Sequence, residues 1–324
     1  MSSSTKIAVT DDMIYAIDHI QPFQIILAAI SIVFSGSVIF ILTMFYNDLV
    51  KGKPFIHIIL MMAISDTMSS LSLSFGFPTN KAACSIQGFT FIYFERCTWF
   101  FLDFLVVQLF YFARHQKLLF SIRMIHYIVW PTSIILQLLP FFTKNGYGSP
   151  TDDLQDDTIQ VGVCFYSRYH GSLDAYFFES ILFTIELLIS FVLVLGFTVG
   201  VSCLRNSAND TSLLMALLPV VSTIRETVIL YPLAQLLTTI PGIVYAIYHV
   251  WYLKTHDGVY PKHYVSRQDL LIAITPINSI LFTIIFYAKT KEALIKWKSL
   301  FMKINDDSDD RLWSVDSNVE INKA

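Results

Sequence analysis

The sequence predicts an all-α protein: a bundle of seven membrane-spanning helices followed by an amphipathic eighth helix. Three observations carry this reading. Of 324 residues, 54% are hydrophobic and only 15% charged, against about 25% charged in an ordinary soluble domain. Mean hydropathy is +0.57. Apolar runs recur along the chain, each close to the roughly 20 residues of helix that a bilayer core requires. A chain of this size cannot hide so much apolar surface in one water-bounded core, so lipid is its expected solvent. The same composition excludes an ordinary soluble enzyme, a disordered chain and a disulfide-rich secreted module. The net charge of -3 offers no basic footprint for nucleic acid.

The elements follow in order. Residues 1–21 form a short polar outer tail. They do not read as a signal peptide, and the first apolar run is too long for a cleaved core, so that run is expected to be its own targeting signal. Span one is Phe23–Phe45, without a charge, and span two is Phe55–Phe77, interrupted by Asp66. Span three runs from Cys84 to Phe112 with Glu95, Arg96 and Asp103 inside it. Span four is Met124–Phe142, and span five is Ala175–Leu204 with Glu179 and Glu186. A long, mostly apolar stretch follows from Leu213 to Leu253, broken by the charges of Arg225 and Glu226. Its first part, Leu213–Ile224, would make about 18 Å of helix, too short to cross. Thr227–Leu253 is therefore span six, and the segment before it an apolar extension on the membrane surface or at the base of the bundle. Eight spans is the alternative count. Span seven is Leu270–Ala288.

The bundle thus occupies residues 22–288, the amphipathic helix 289–304, and an acidic cytoplasmic tail 305–324. Within 289–304, Leu294, Trp297, Leu300 and Phe301 share one helical face and lysines line much of the rest. That is the pattern of a helix lying in the membrane interface. With the N-terminus outside, 14 lysines and arginines fall on inner segments and 7 on outer ones. That distribution is expected of a cytoplasmic C-terminus.

Cys84 opens span three at its outer end, and Cys164 sits in the longest outer loop. Both face an oxidising compartment, where disulfides persist. A bridge between them would pin that loop across the bundle mouth; two free thiols are the alternative. Charges within spans usually face the bundle interior and find partners. Arg96 lies 12 residues below Cys84, about 18 Å down, and Glu186 lies at a similar depth in span five. The two are expected to meet, with Glu179 as second choice of partner. Glu95, Trp99 and Asp103 follow an i, i+4, i+8 spacing and are read as one face. Asp66 enters from the inner side to the level of Asp103. The functional reading is a ligand pocket around Arg96, Glu95, Trp99, Glu179 and Glu186. A switch network would involve Asp66, Asp103, Asn278, Arg225 and Pro232. Structural glue between helices is the alternative. Pro232 and Pro241 each remove a backbone hydrogen bond in span six and favour a kink, which could serve as a hinge or stand as a static bend.

An outer cysteine at the head of span three, paired with a loop cysteine before span five, resembles the heptahelical G-protein-coupled receptors. The segment Cys84, Ser85, Ile86, Gln87, Gly88, Phe89, with Cys97, Thr98 and Trp99 further down, is similar to the cyclic-AMP receptor-like branch. So is the run from Arg225 to Tyr231 and Pro232. The resemblance covers about residues 22–304. Departures separate the chain from the rhodopsin-like branch. The inner end of span three reads Tyr111, Phe112, Ala113, Arg114, His115, where that branch has Asp-Arg-Tyr. Span six lacks Cys-Trp-x-Pro, and Pro276, Ile277, Asn278 replaces Asn-Pro-x-x-Tyr.

The resemblance implies a plasma-membrane receptor, not an enzyme, that binds a small extracellular ligand and partners a heterotrimeric G protein; no cofactor is implied. A transporter or ion-translocating protein using the buried carboxylates is the alternative. It is disfavoured by an odd span count and the lack of an internal repeat. A retinal protein would need a lysine inside the last span, and Leu270–Ala288 has none.

Overall fold

In the computed structural model, the described residues are 14–78, 80–115, 117–142, 146–148, 164–167, most of 181–200 and 230–256, and 264–302. Glu179, Cys203, Arg225, Pro232 and the segment 213–224 lie outside them, as do most of the outer tail and the residues after 302.

Span one is the helix Gln21–Met44, entered through a π-helical turn, Ala16–Ile20, with a proline in its first turn. Pro22 lies within a continuous helical run, just after the π-turn, where its missing N–H leaves one ladder bond unmade. Span two, Pro54–Ser74, starts instead at a non-helical Lys53, and there the missing N–H of Pro54 would have had no partner inside the helix. It ends at Gly76, whose φ of +68° is the left-handed conformation open to glycine. The Gly76 carbonyl accepts a hydrogen bond from Gln87 Nε2 at 2.7 Å, tying this turn to span three. Alanine at 76 should therefore cost about 1–2 kcal/mol in backbone strain. A thermal-unfolding midpoint unchanged in the Gly76→Ala protein would count against that.

Span three is the 35-residue helix Lys81–His115, about 52 Å long and so longer than a bilayer core is thick. It forms the centre of the packing. Phe101, Leu102, Leu105 and Val106 join Ile58 and Met62 of span two, Ile41 and Leu42 of span one, and Tyr231, Phe282 and Phe286 of later spans in one buried cluster. Spans one and two are clasped by hydroxyls: Ser31 and Ser70 lie 2.7 Å apart, and Thr67 donates to Ser35 at 2.7 Å. Small hydroxylated residues let membrane helices approach closely. Span four is Ile122–Phe142. The described residues of 181–200 and 230–255 are helical and supply spans five and six. Span seven is two helical segments, Tyr264–Ala273 and Pro276–Lys289. Around Pro276 the chain tightens into i to i+3 bonds, Thr275 N–H to Ile272 and Asn278 N–H to Thr275.

The outward faces are apolar. Val33, Tyr127 and Val192 are 70%, 79% and 62% exposed. Four of the described helices are long and apolar enough to cross a bilayer. Helix and exposure together give an all-α membrane bundle.

One local feature departs from all-α. Gly146–Gly148 and Phe165–Ser167, strands β1 and β2, pair antiparallel with Tyr147 opposite Tyr166. Cys164, the residue before β2, is bonded to Cys84, with Cα atoms 5.3 Å apart. The expected bridge is formed, and it holds the ribbon to the N-terminal head of span three.

The amphipathic helix is Lys291–Met302. Ala293 is buried, and Trp297 packs near Tyr287 with ring centroids 5.9 Å apart. Lys53 reaches Glu292 at 3.1 Å, and Lys296 reaches Asp48 at 3.5 Å. All four side chains are more than a third exposed, so these pairs contribute little stability.

Candidate functional site

Span three distributes its charges by helical arithmetic. Each residue turns about 100°, so Arg96 and Asp103, seven apart, differ by only about 20°. Glu95 and Asp103, eight apart, differ by about 80°. Arg96 and Asp103 therefore face span five together, and Glu95 faces span two.

Arg96 is 3% exposed. Its Nε donates to Glu186 Oε1 at 2.6 Å and its Nη2 to Glu186 Oε2 at 2.9 Å. This is the bidentate fork that a guanidinium makes with a carboxylate. Nη1 donates to Gln137 Oε1 of span four at 2.6 Å, and Gln137 Nε2 donates to the Phe89 carbonyl at 3.3 Å. One buried cation thus joins spans three, four and five. Further along, Ser190 of span five donates to Asp103 Oδ1 at 2.8 Å. Beside these groups lies a cavity of about 290 Å3, bounded by Arg96, Asp103, Glu186 and Ser190 and by apolar side chains of spans three, four and five.

A second polar locus lies across span three. Thr98 donates to Asp66 Oδ1 at 2.8 Å, and Ser69 donates to Glu95 Oε2 at 3.2 Å. Asp66, Tyr231 and Ser279 help line a space of about 10 Å3, the scale of one water. Asn278 Nδ2 donates to Gln235 Oε1 at 2.5 Å, joining spans seven and six.

A third locus links spans two and four. Trp130 Nε1 donates to His126 Nδ1 at 3.0 Å, and His126 Nε2 lies 3.2 Å from His57 Nε2. A neutral His126 accepting at Nδ1 carries its proton on Nε2, so it donates to His57. A metal on His126 Nε2 would need a proton on Nδ1, against the Trp130 N–H. This arrangement is a hydrogen-bond relay. Among the described residues no three His, Cys, Asp or Glu side chains cluster for a metal.

The crystal structure of squid rhodopsin aligns with 90% of this chain, over 86% of its own length, with a TM-score of 0.63 at 17% sequence identity. The fold is a rhodopsin-like helical bundle. No protein-family model matches the sequence, and no curated protein matches it.

Within the rhodopsin-like bundle, Arg96 and Glu186 meet as the depth arithmetic expects. Glu95 and Trp99 are buried, and Glu95 is bonded to span two. Asp103 is bonded to span five, so Asp66 and Asp103 are held by different helices. Asn278 is buried and joined to Gln235. Glu179, Arg225 and Pro232 lie outside the described residues. Sequence reasoning missed Gln137, Ser190 and Gln235, and it singled out Thr98 and Tyr231 only as motif residues, because neutral side chains in apolar runs give no charge signal. It also set Asp269 just outside span seven; this residue is fully buried.

Proposed function

We propose that this protein is a cell-surface signalling receptor, with its N-terminus extracellular and its C-terminus cytoplasmic. It binds a small ligand within the bundle and activates a heterotrimeric G protein. The cavity beside the Arg96–Glu186 pair carries this reading. It is concave, mostly apolar and furnished with a few oriented polar groups, the usual make-up of a small-molecule site. The likeness to squid rhodopsin, a seven-transmembrane G-protein-coupled receptor, supports it at the level of fold. The short motifs around Cys84 and Trp99 favour the cyclic-AMP receptor-like branch.

In this reading Arg96, Glu186, Glu95, Trp99 and Glu179 form or border the ligand site. Asp66, Asp103, Asn278, Arg225 and Pro232 belong to the switch. The ligand acts only through a difference in affinity between two arrangements of the bundle. Shifting them from 1:99 to 99:1 takes about 5.5 kcal/mol. Pro232 weakens span six, so the inner half of that span is the element proposed to move.

The test is nucleotide exchange on G proteins co-expressed with the receptor, under a ligand library. At least one ligand should raise exchange, and Leu139→Trp, which fills the cavity, should abolish the response without lowering surface expression. Failure of every ligand across all G-protein classes, together with solute flux in proteoliposomes, would replace the receptor with a transporter.

A further inference from the structure

We infer that the cavity between spans three, four and five is entered from the membrane, and that it takes a lipophilic amine. The signalling consequence rests on the receptor reading; the binding site does not.

The route follows from exposure. Ile185 and Ile189 line the cavity, yet they are 45% and 55% exposed on the outside of the bundle. They stand one turn apart on span five, facing Leu136 and Leu139 of span four across the cavity. Side chains that border a cavity and also face lipid mark a mouth between two spans. At the outer end, β1 packs against spans three and four, the same helices that wall the cavity, and the Cys84–Cys164 bond fixes the ribbon there. The covered end is the watery one, and the open side is the lipid one. Most of the lining is apolar, with Phe100, Pro140 and Leu182 completing it, so a ligand dissolved in the bilayer exchanges one apolar surrounding for another.

The head group follows from charge. The cavity presents one guanidinium and two carboxylates. Arg96 is taken up by both oxygens of Glu186 and by Gln137. Asp103 accepts from the Ser190 hydroxyl and, among the described residues, pairs with no cation. A carboxylate shielded from water is stabilised by a cation or by strong donors. An ammonium supplies both, and an anionic head would be repelled by Asp103 and Glu186 together. Asp103 lies seven residues further from Cys84 than Arg96 does, about 10 Å along the helix. The amine therefore sits at the end of the cavity away from the ribbon, and its chain runs back along Phe100, Leu139 and Leu182. At about 290 Å3 the volume is at the small end of the roughly 300–1,000 Å3 usual for ligand pockets, which suits a single chain or a small ring system.

The experiment uses the full chain in nanodiscs of neutral phosphatidylcholine, without a G protein. Three twelve-carbon probes carry the same mid-chain diazirine and end in an amine, an alcohol or a carboxylate. After photolysis, mass spectrometry locates the labelled residues. The expected result is saturable labelling of Phe100, Leu139 or Ile189 by the amine, displaced by unlabelled dodecylamine. The alcohol should be weaker and the carboxylate absent. Asp103→Asn should weaken displacement by the amine about tenfold or more, one lost ion pair, while leaving alcohol labelling unchanged. Ile189→Trp should remove labelling of Phe100 and Leu139 by both the amine and the alcohol. Labelling that never saturates and tracks exposure, as strong at Val33 and Tyr127 as at Leu139, would mean bulk lipid only and overturn the site. Equal labelling by amine and carboxylate, untouched by Asp103→Asn, would overturn the amine. Nucleotide exchange is then read separately. Saturable labelling without any effect of dodecylamine on exchange would leave the site standing and remove its signalling role.

Discussion

Arg96→Leu should remove most folded protein from the cell surface. Glu186 is 15% exposed and holds both carboxylate oxygens against the guanidinium. Without Arg96 that carboxylate keeps its desolvation penalty and loses its counter-charge, and Gln137 Oε1 loses a donor. Breaking one partner of a buried pair costs about 3–5 kcal/mol. A loss of even 1–2 kcal/mol changes cellular abundance several-fold. The double change Arg96→Leu with Glu186→Leu should be milder than Arg96→Leu alone, since neither charge is left behind. The exchange Arg96→Glu with Glu186→Arg should restore part of the loss, although Gln137 must then turn its amide to meet a carboxylate. Surface staining of the tagged protein, with thermal unfolding in detergent, reads all four proteins. Wild-type levels and stability for Arg96→Leu would show that the pair holds nothing together.

The Arg96–Glu186 pair was legible because lipid leaves a charge few options. A cation 12 residues below an outer cysteine and a carboxylate at matching depth must either meet or stay costly. The bundle was legible for the same reason: charge-free runs such as Phe23–Phe45 have no other stable setting. Asp103 shows where counting along the helix overreached. An i, i+8 spacing reads as one face, but eight residues overshoot two turns by about 80°, whereas seven fall short by only about 20°. Asp103 therefore joins Arg96 and Ser190 and not Glu95. Depth counting expects Asp66 at the level of Asp103, but Thr98, which holds Asp66, is five residues from Asp103, about 7.5 Å along span three and about 140° around it.

Gln137 could not be read, because an amide in an apolar run looks like tolerated polarity until its partner is known. The His57–His126 contact joins residues 69 apart on two different spans, and nothing in either local sequence announces it. Strands of three residues, such as β1 and β2, are too short for an alternating pattern to register. The sequence specified what lipid forbids and was silent on which neutral groups complete the network.

Replacing Cys84 with serine should produce the other large effect, and the double change with Cys164→Ser should match it. The bond spans 80 residues of sequence. In the chain-entropy picture a loop of that length is constrained by up to about 4.5 kcal/mol. The figure is an upper bound, because span four lies inside the loop and an inserted helix has already lost much of that freedom. What is lost locally is the tether of the β1–β2 ribbon, whose strands pack against span three. Freed, the ribbon would no longer hold the outer ends of spans three and four, and the spacing that sets the Arg96–Glu186–Gln137 contacts would loosen. Both variants should therefore unfold at a lower temperature, by the same amount, since each breaks the same bond. Peptide mapping under non-reducing conditions should find the Cys84 and Cys164 peptides linked in the wild-type protein, with Cys97 alkylated only after unfolding because it is buried. Two freely alkylated thiols at 84 and 164 in folded protein would show that the ribbon is held without the bond.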